Sequence, residues 1–186
     1  MPASPRHPRV SLFAALTTQD LAAIRTHLAA DVDINAVLDC GLTALAVAAS
    51  AGFDDGVQFL LAAGASTAEE GVRSPLYLAA ANGHASTVRL LLDAGASPQR
   101  SATNQSPFLI ACQEGHVAVV DLLLATGCDP NALNDDGLSA LYLCSFRGQS
   151  AVASSLLAAG AKVDFQTPNG SFPLFVAAQI GVEKLP

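Results

Sequence analysis

The side chains that could do chemistry are few, and they are scattered along the chain. The histidines are His7, His27, His84 and His116, the cysteines Cys40, Cys112, Cys128 and Cys144. A metal site needs His or Cys ligands that converge at close spacing. No two of these cysteines form a CxxC pair. Cys112 and Cys144 fall at adjacent small-residue positions of two successive sequence units. They read as buried small hydrophobes of a reducing compartment. His84 and His116 each follow a glycine, at the same place in successive units, with no third ligand in register. The carboxylate pairs Glu69-Glu70 and Asp135-Asp136 fall at expected hairpin tips, either as solvated turns or as contacts for a basic partner. A nucleophile elbow, an HExxH helix, a P-loop and a dinucleotide glycine pattern are all missing. Catalysis needs titratable groups drawn into one dry pocket. The pattern offers none, so the expectation is no enzyme, no cofactor and no metal.

The glycines explain what positions these residues. Gly64, Gly95, Gly127 and Gly160 recur at intervals of 31, 32 and 33. Gly52, Gly83, Gly115 and Gly148 repeat the same three intervals, and Gly181 adds one more step of 33. Two glycine tracks in phase indicate one supersecondary unit copied along the chain, a solenoid in which no unit buries its apolar face alone.

Composition agrees. The chain has 186 residues, 51% of them apolar, with 5% aromatics and no Trp. Ala and Leu therefore carry the apolar mass, and closely packed helices are favoured. Nine basic against sixteen acidic residues give a net charge of −7. That balance argues against a phosphate-tracking nucleic-acid binder. No apolar run of about 20 residues suggests a spanning helix. Residues 1–9 are Pro-rich and lack an apolar core segment. They read as a disordered tail, not a signal peptide. An intracellular, cytoplasmic location is expected.

One unit shows the local logic. Ser74 can N-cap a helix whose first position is Pro75, where no N–H is needed. Leu76, Ala79 and Ala80 give that helix a buried stripe, and Gly83 ends it in a left-handed cap. Val88, Leu91 and Leu92 form the apolar face of a second helix, ended by Gly95. Three other units match: Thr43-Ala44-Leu45 to Gly64-Ala65, Ser106-Pro107-Phe108 to Gly127, and Ser139-Ala140-Leu141 to Gly160-Ala161. Together these motifs resemble the ankyrin repeat, with its Thr-Pro-Leu-His-x-Ala-Ala, Gly-His, Val-Val, Leu-Leu and Gly-Ala pattern.

The resemblance implies an all-α solenoid of antiparallel helix pairs joined by β-hairpin-like loops. Residues 10–42 form a degenerate N-terminal cap that lacks both glycines. Residues 43–73, 74–105, 106–138 and 139–171 are full repeats, and 172–186 a half repeat. The steps from Gly64 to Ser74 and from Gly95 to Ser106 are ten and eleven, against twelve from Gly127 to Ser139, so the first two hairpins should be short and irregular. The half repeat is expected to mean either a fragment of a longer chain or an end covered by a partner, which leaves a monomer or a dimer through that end open.

The resemblance also implies function: protein–protein recognition through a concave face and hairpin tips, by a scaffold or adaptor without catalysis. The alternatives are a segment of a larger enzyme or ubiquitin-ligase adaptor, or a self-assembling element. His84 and His116 occupy a position that is structural in the family. The family's Thr-Pro-Leu-His histidine is replaced by Ala46, Tyr77, Leu109, Tyr142 and Phe175. These either pack against the next hairpin or form a binding stripe. Candidate binding residues are Tyr77, Leu109, Tyr142 and Phe175 from that position, and Asn82, Glu114 and Arg147 from inner-helix ends, with Phe146 beside the last. The tips add Arg73, Arg100, Asn104, Asp135 and Asn169. Asn131, after Asp129-Pro130 and eight residues beyond Leu123, resembles the hairpin asparagine hydroxylated in many ankyrin proteins. Asn35 fits less well, because His27 takes the leucine position.

Overall fold

The computed structural model describes residues 8–28, 33–68, 74–98 and 106–164. Residues 69–73 and 99–105, which belong to the hairpins expected to be short, and everything after Asp164, where the half repeat is expected, lie outside the described residues. Ten helices occur among the described residues, and no strand beyond two isolated bridges. They are α1 (Pro8–Thr17), α2 (Leu21–Leu28), α3 (Ala44–Ser50), α4 (Asp54–Ala62), α5 (Pro75–Ala81), α6 (Ala85–Asp93), α7 (Pro107–Glu114), α8 (Val117–Ala125), α9 (Ala140–Phe146) and α10 (Ser150–Ala158). The chain divides into two compact units, Met1–Ala79 with Ser86–Ala96, and Ala80–Ala85 with Ser97–Pro186.

In the first unit α1 packs on α2 and α3, and α4 on α3 and α2. In the second, α7 and α9 stack as one layer and α8 and α10 as another, with α7 on α8 and α9 on α10. The first helix of each full repeat opens on a hydroxyl cap. The side-chain oxygens of Thr43, Ser74, Ser106 and Ser139 accept from the backbone N–H three residues on, at 3.3, 3.1, 3.3 and 3.2 Å. Each satisfies one orphan donor of a short helix, a contribution of about 1 kcal/mol. The second helices are held by apolar burial: Val57, Leu60, Val88, Leu91, Val119, Leu123, Val152 and Leu156 are all fully buried.

Glycine at the helix ends serves two requirements at once. Gly83 and Gly115 have φ of +76° and +86°. A Cβ on Gly83 would sit 2.5 Å from Nδ1 of His116, and one on Gly115 would collide with the Gln149 amide. His116 and Gln149, which follow Gly115 and Gly148, therefore seat on the helix-ending glycine of the preceding repeat. His116 also reaches the Ala81 carbonyl through Nε2 at 2.9 Å, which fits the structural role expected for it.

The turn between α1 and α2 is made without glycine. Gln19 has φ of +56°, the one left-handed non-glycine among the described residues, and Asp20 N–H bonds the Ala15 carbonyl at 2.9 Å. Gln19 precedes Gly52 by one repeat interval, so the glycine track extends to a position whose residue type does not announce it. Helix α1 begins at Pro8, two residues inside the stretch expected to be a tail. Pro is favoured at a helix start because its missing N–H costs nothing there.

Loops between repeats are fastened in register. Val37 bridges Thr43, and Leu133 bridges Ser139, each closing a hairpin. The Asn35 side-chain oxygen accepts from Ser66 N–H at 2.8 Å, and Asn131 accepts from Lys162 N–H at 2.8 Å. Each bond links one loop to the corresponding loop of the next repeat.

Two of the four cysteines sit as buried small hydrophobes. Cys112 and Cys144 are fully buried, Cys128 is half-buried and Cys40 exposed. Burial raises the Cys112 thiol pKa far above its ordinary range, and the neighbouring thiols of Cys144 and Cys128 raise it further. Burial pushes Cys144 up to about 12 and also raises Cys128. Only the neutral thiol suits these sites, so their contribution to stability is complete below the unfolded value near 9. It falls as pH rises toward about 12.

Two outcomes are expected. Gln19→Gly should stabilise the protein by about 1 kcal/mol in urea unfolding, by relieving the left-handed turn, whereas Gly115→Ala should destabilise it by roughly 1–3 kcal/mol. In native-state alkylation followed by mass spectrometry, Cys40 should react first and Cys128 more slowly, with Cys112 and Cys144 labelled only after unfolding.

Candidate functional site

The sequence-named residues do not share one fate. Ala46 and Leu109 are buried, at 1% and 6% exposure, while Tyr77 and Tyr142 are half-buried. Leu109 is thus nearly closed off from solvent. It lines a small recess together with Phe108, Cys128 and Leu133. Asn82 and Asp135 are exposed. Arg73, Arg100, Asn104, Asn169 and Phe175 lie outside the described residues.

A continuous feature forms around α9. Tyr142 and Phe146 are four residues apart and share one face of the helix. Leu143 and Arg147 form the adjacent row. The hairpin that precedes α9 contributes Asn134, Asp136 and Leu138, and the end of α7 contributes Gln113. Together they line an open groove of about 360 Å³.

Phe146 stands out by exposure. It is 59% accessible, the largest value among the exposed large hydrophobics of the described residues. The equivalent position holds Ser50, Ala81 and Gln113 in the other full repeats. Burying such a ring removes a large apolar area from water, whereas leaving it in solvent gives no benefit to the fold.

The charges of the groove are partly spent. The Arg147 guanidinium lies 3.6 Å from Oε1 of Glu114, which also accepts from the Gln113 amide at 2.9 Å. Both ionic side chains are well exposed. The pair therefore contributes at most about 1 kcal/mol to stability. Its effect is to place a compensated cation beside the aromatic ring. Asp136 is exposed, and its carboxylate accepts from the Asn134 amide at 3.4 Å. Asn134 in turn fixes the hairpin, its side-chain oxygen accepting from Leu138 N–H at 2.8 Å.

Sequence reasoning missed Gln113, Asn134, Leu138 and Leu143 as groove walls. The Asn134–Gly137 turn was the available signal: a side chain that caps a tight turn fixes where the next residues face. Asn131 has both ends of its amide engaged, Oδ1 by Lys162 N–H and Nδ2 toward the Gly160 carbonyl at 3.5 Å. Hydroxylation of this side chain would have to accommodate those bonds.

Among the described residues no three His, Cys, Asp or Glu side chains gather in a way that could hold a metal ion. No described helix is long and apolar enough to cross a membrane.

Comparison with known proteins gives the family. The family model described as ankyrin repeats, three copies, matches residues 12–102 and 97–167. Human "Ankyrin repeat and SOCS box protein 18" is 46% identical over 112 residues, which is 60% of this chain and 24% of that protein. The chain thus spans about a quarter of the length of this relative. With capped helix pairs, left-handed glycine turns and hairpins in fixed register, and with the family model matching most of its length, the chain belongs to the ankyrin-repeat family, an all-α solenoid fold whose repeats serve protein–protein interaction.

Proposed function

We propose that this chain is a non-catalytic recognition module that holds a partner protein in the α9 groove. The observation that carries the reading is Phe146, an aromatic ring 59% exposed beside Arg147 where equivalent repeat positions are small or polar. Tyr142 and Leu143 extend the apolar floor, and Glu114 and Asp136 give it a polar rim. This is the composition of an interface centre, with an aromatic and an arginine surrounded by groups that exclude water. Asn82 and Asp135, both exposed, are further candidate contacts. A cytoplasmic location is part of this reading.

A second reading has its own support. The relative's name couples ankyrin repeats to a SOCS box, which favours a substrate-binding role within a ubiquitin-ligase adaptor. In that reading the groove selects the protein to be modified.

The test is recovery of the partner by wild type against a Phe146→Ala, Arg147→Ala double variant, with Ser154→Ala on α10 as the control. The double variant should weaken binding by roughly 2 kcal/mol or more. Its melting temperature should match wild type, since both side chains are exposed. Equal recovery would remove the groove from the function. Under the adaptor reading, the same substitutions should lower ubiquitylation of the recovered partner in cells; undiminished ubiquitylation would reject that role.

A further inference from the structure

The charge distribution of the α9 groove narrows what can occupy it. Two carboxylates, Glu114 beside Arg147 and Asp136 on the groove wall, accompany one guanidinium, so these groups carry a net formal charge of 1 − 2 = −1. The guanidinium is already opposed by Glu114 at 3.6 Å. An acidic ligand would have to displace that carboxylate to reach Arg147, and it would meet Asp136 across the groove. Like-charge placement of that kind disfavours a partner. The chain as a whole, at −7, adds a long-range field of the same sign.

The apolar part sets the other requirement. Tyr142, Leu143, Phe146 and Leu138 line the groove, whose volume is about 360 Å³. That lies near the lower end of the roughly 300–1,000 Å³ typical of ligand sites. It therefore admits one or two side chains. A folded surface would bury Phe146 without entering the groove.

Resting on the recognition role proposed above, we infer that the occupant is a short, extended, basic segment of a partner protein. It seats one large apolar side chain against Phe146 and Tyr142 and brings a neighbouring Lys or Arg to Asp136. The aromatic ring supplies burial, and the carboxylate supplies orientation and steering. Phe146 sits at the C-terminal end of α9 and Asp136 on the hairpin that leads into it, so the two contacts lie at separate points along the groove. A peptide must satisfy both, which makes the order of its basic and apolar residues a determinant of binding.

The experiment selects from a phage-displayed random peptide library on the intact chain, then measures the enriched peptides by fluorescence anisotropy. Enriched peptides should carry a Lys or Arg close to a Leu, Met or aromatic residue, and their affinity should fall as salt rises. Phe146→Ala and Asp136→Lys should each weaken binding by about 10-fold or more, and peptides with the basic residue changed to Glu should regain affinity for Asp136→Lys alone. Both substituted side chains are exposed, and circular dichroism melts should match wild type. Selection of acidic peptides would overturn the inference. So would basic peptides that lose affinity with Phe146→Ala yet ignore Asp136→Lys, an outcome that leaves the recognition role standing. Absence of any peptide sensitive to Phe146→Ala would overturn both.

Discussion

A helix of seven to ten residues cannot hold itself together in water. Nucleation fixes several residues for a single hydrogen bond, and isolated helices shorter than roughly 12–15 residues stay marginal. Every described helix of this chain falls in that short class. All else follows from the need to lend each helix stability from outside. Caps supply partners for the first N–H groups, left-handed turns return the chain at once, and neighbouring helices bury the apolar stripe. The fold is therefore cooperative by necessity: a helix exists because the adjacent ones do.

That dependence explains the sequence's uneven demands. The inner stripe tolerates only small residues, as Ala48, Ala49, Ala79, Ala80, Ala111 and Cys112 illustrate, because two helices approach closely there. Cys144 continues the run, its thiol kept neutral by burial. Ser145, buried as well, is a small polar exception in the same row. Solvent-facing positions carry no comparable restriction, and Phe146 and Arg147 occupy such positions. The proposed contacts thus lie where packing asks least.

What could be read from the residues alone was whatever is decided locally. Hydroxyl caps, proline at the first helical position and glycine at the turn depend on a few neighbouring residues, and so their signals survive in one dimension. The apolar pairs Val57 and Leu60, or Val88 and Leu91, carry the same information as a period. The left-handed turn at Gln19 escaped notice because glutamine gives no sign of it; the surrounding turn imposes that conformation. Leu109 and Tyr142 hold equivalent repeat positions, yet one is buried and the other half-buried. What lies across from each decides this, and that depends on the neighbouring repeat. Likewise the groove needed three elements, the α7 end, the hairpin and α9, whose meeting no single stretch of sequence describes. The Glu114–Arg147 pair was accessible in principle, since the two hold the same position one repeat apart.

The loop asparagines have a wider meaning. Asn35 and Asn131 each hold the next loop through a backbone N–H, so what they grip is the same whatever side chain follows. A fastening of this sort is indifferent to spelling. Ser66 and Lys162 receive it equally well, though one is small and neutral and the other long and charged. Successive copies can thus drift apart in composition, or be duplicated and exchanged, without a compensating change at the joint. An array joined in this manner separates inheritance of shape from inheritance of surface, and new recognition can arise by rewriting a tip while its anchor stays as it was.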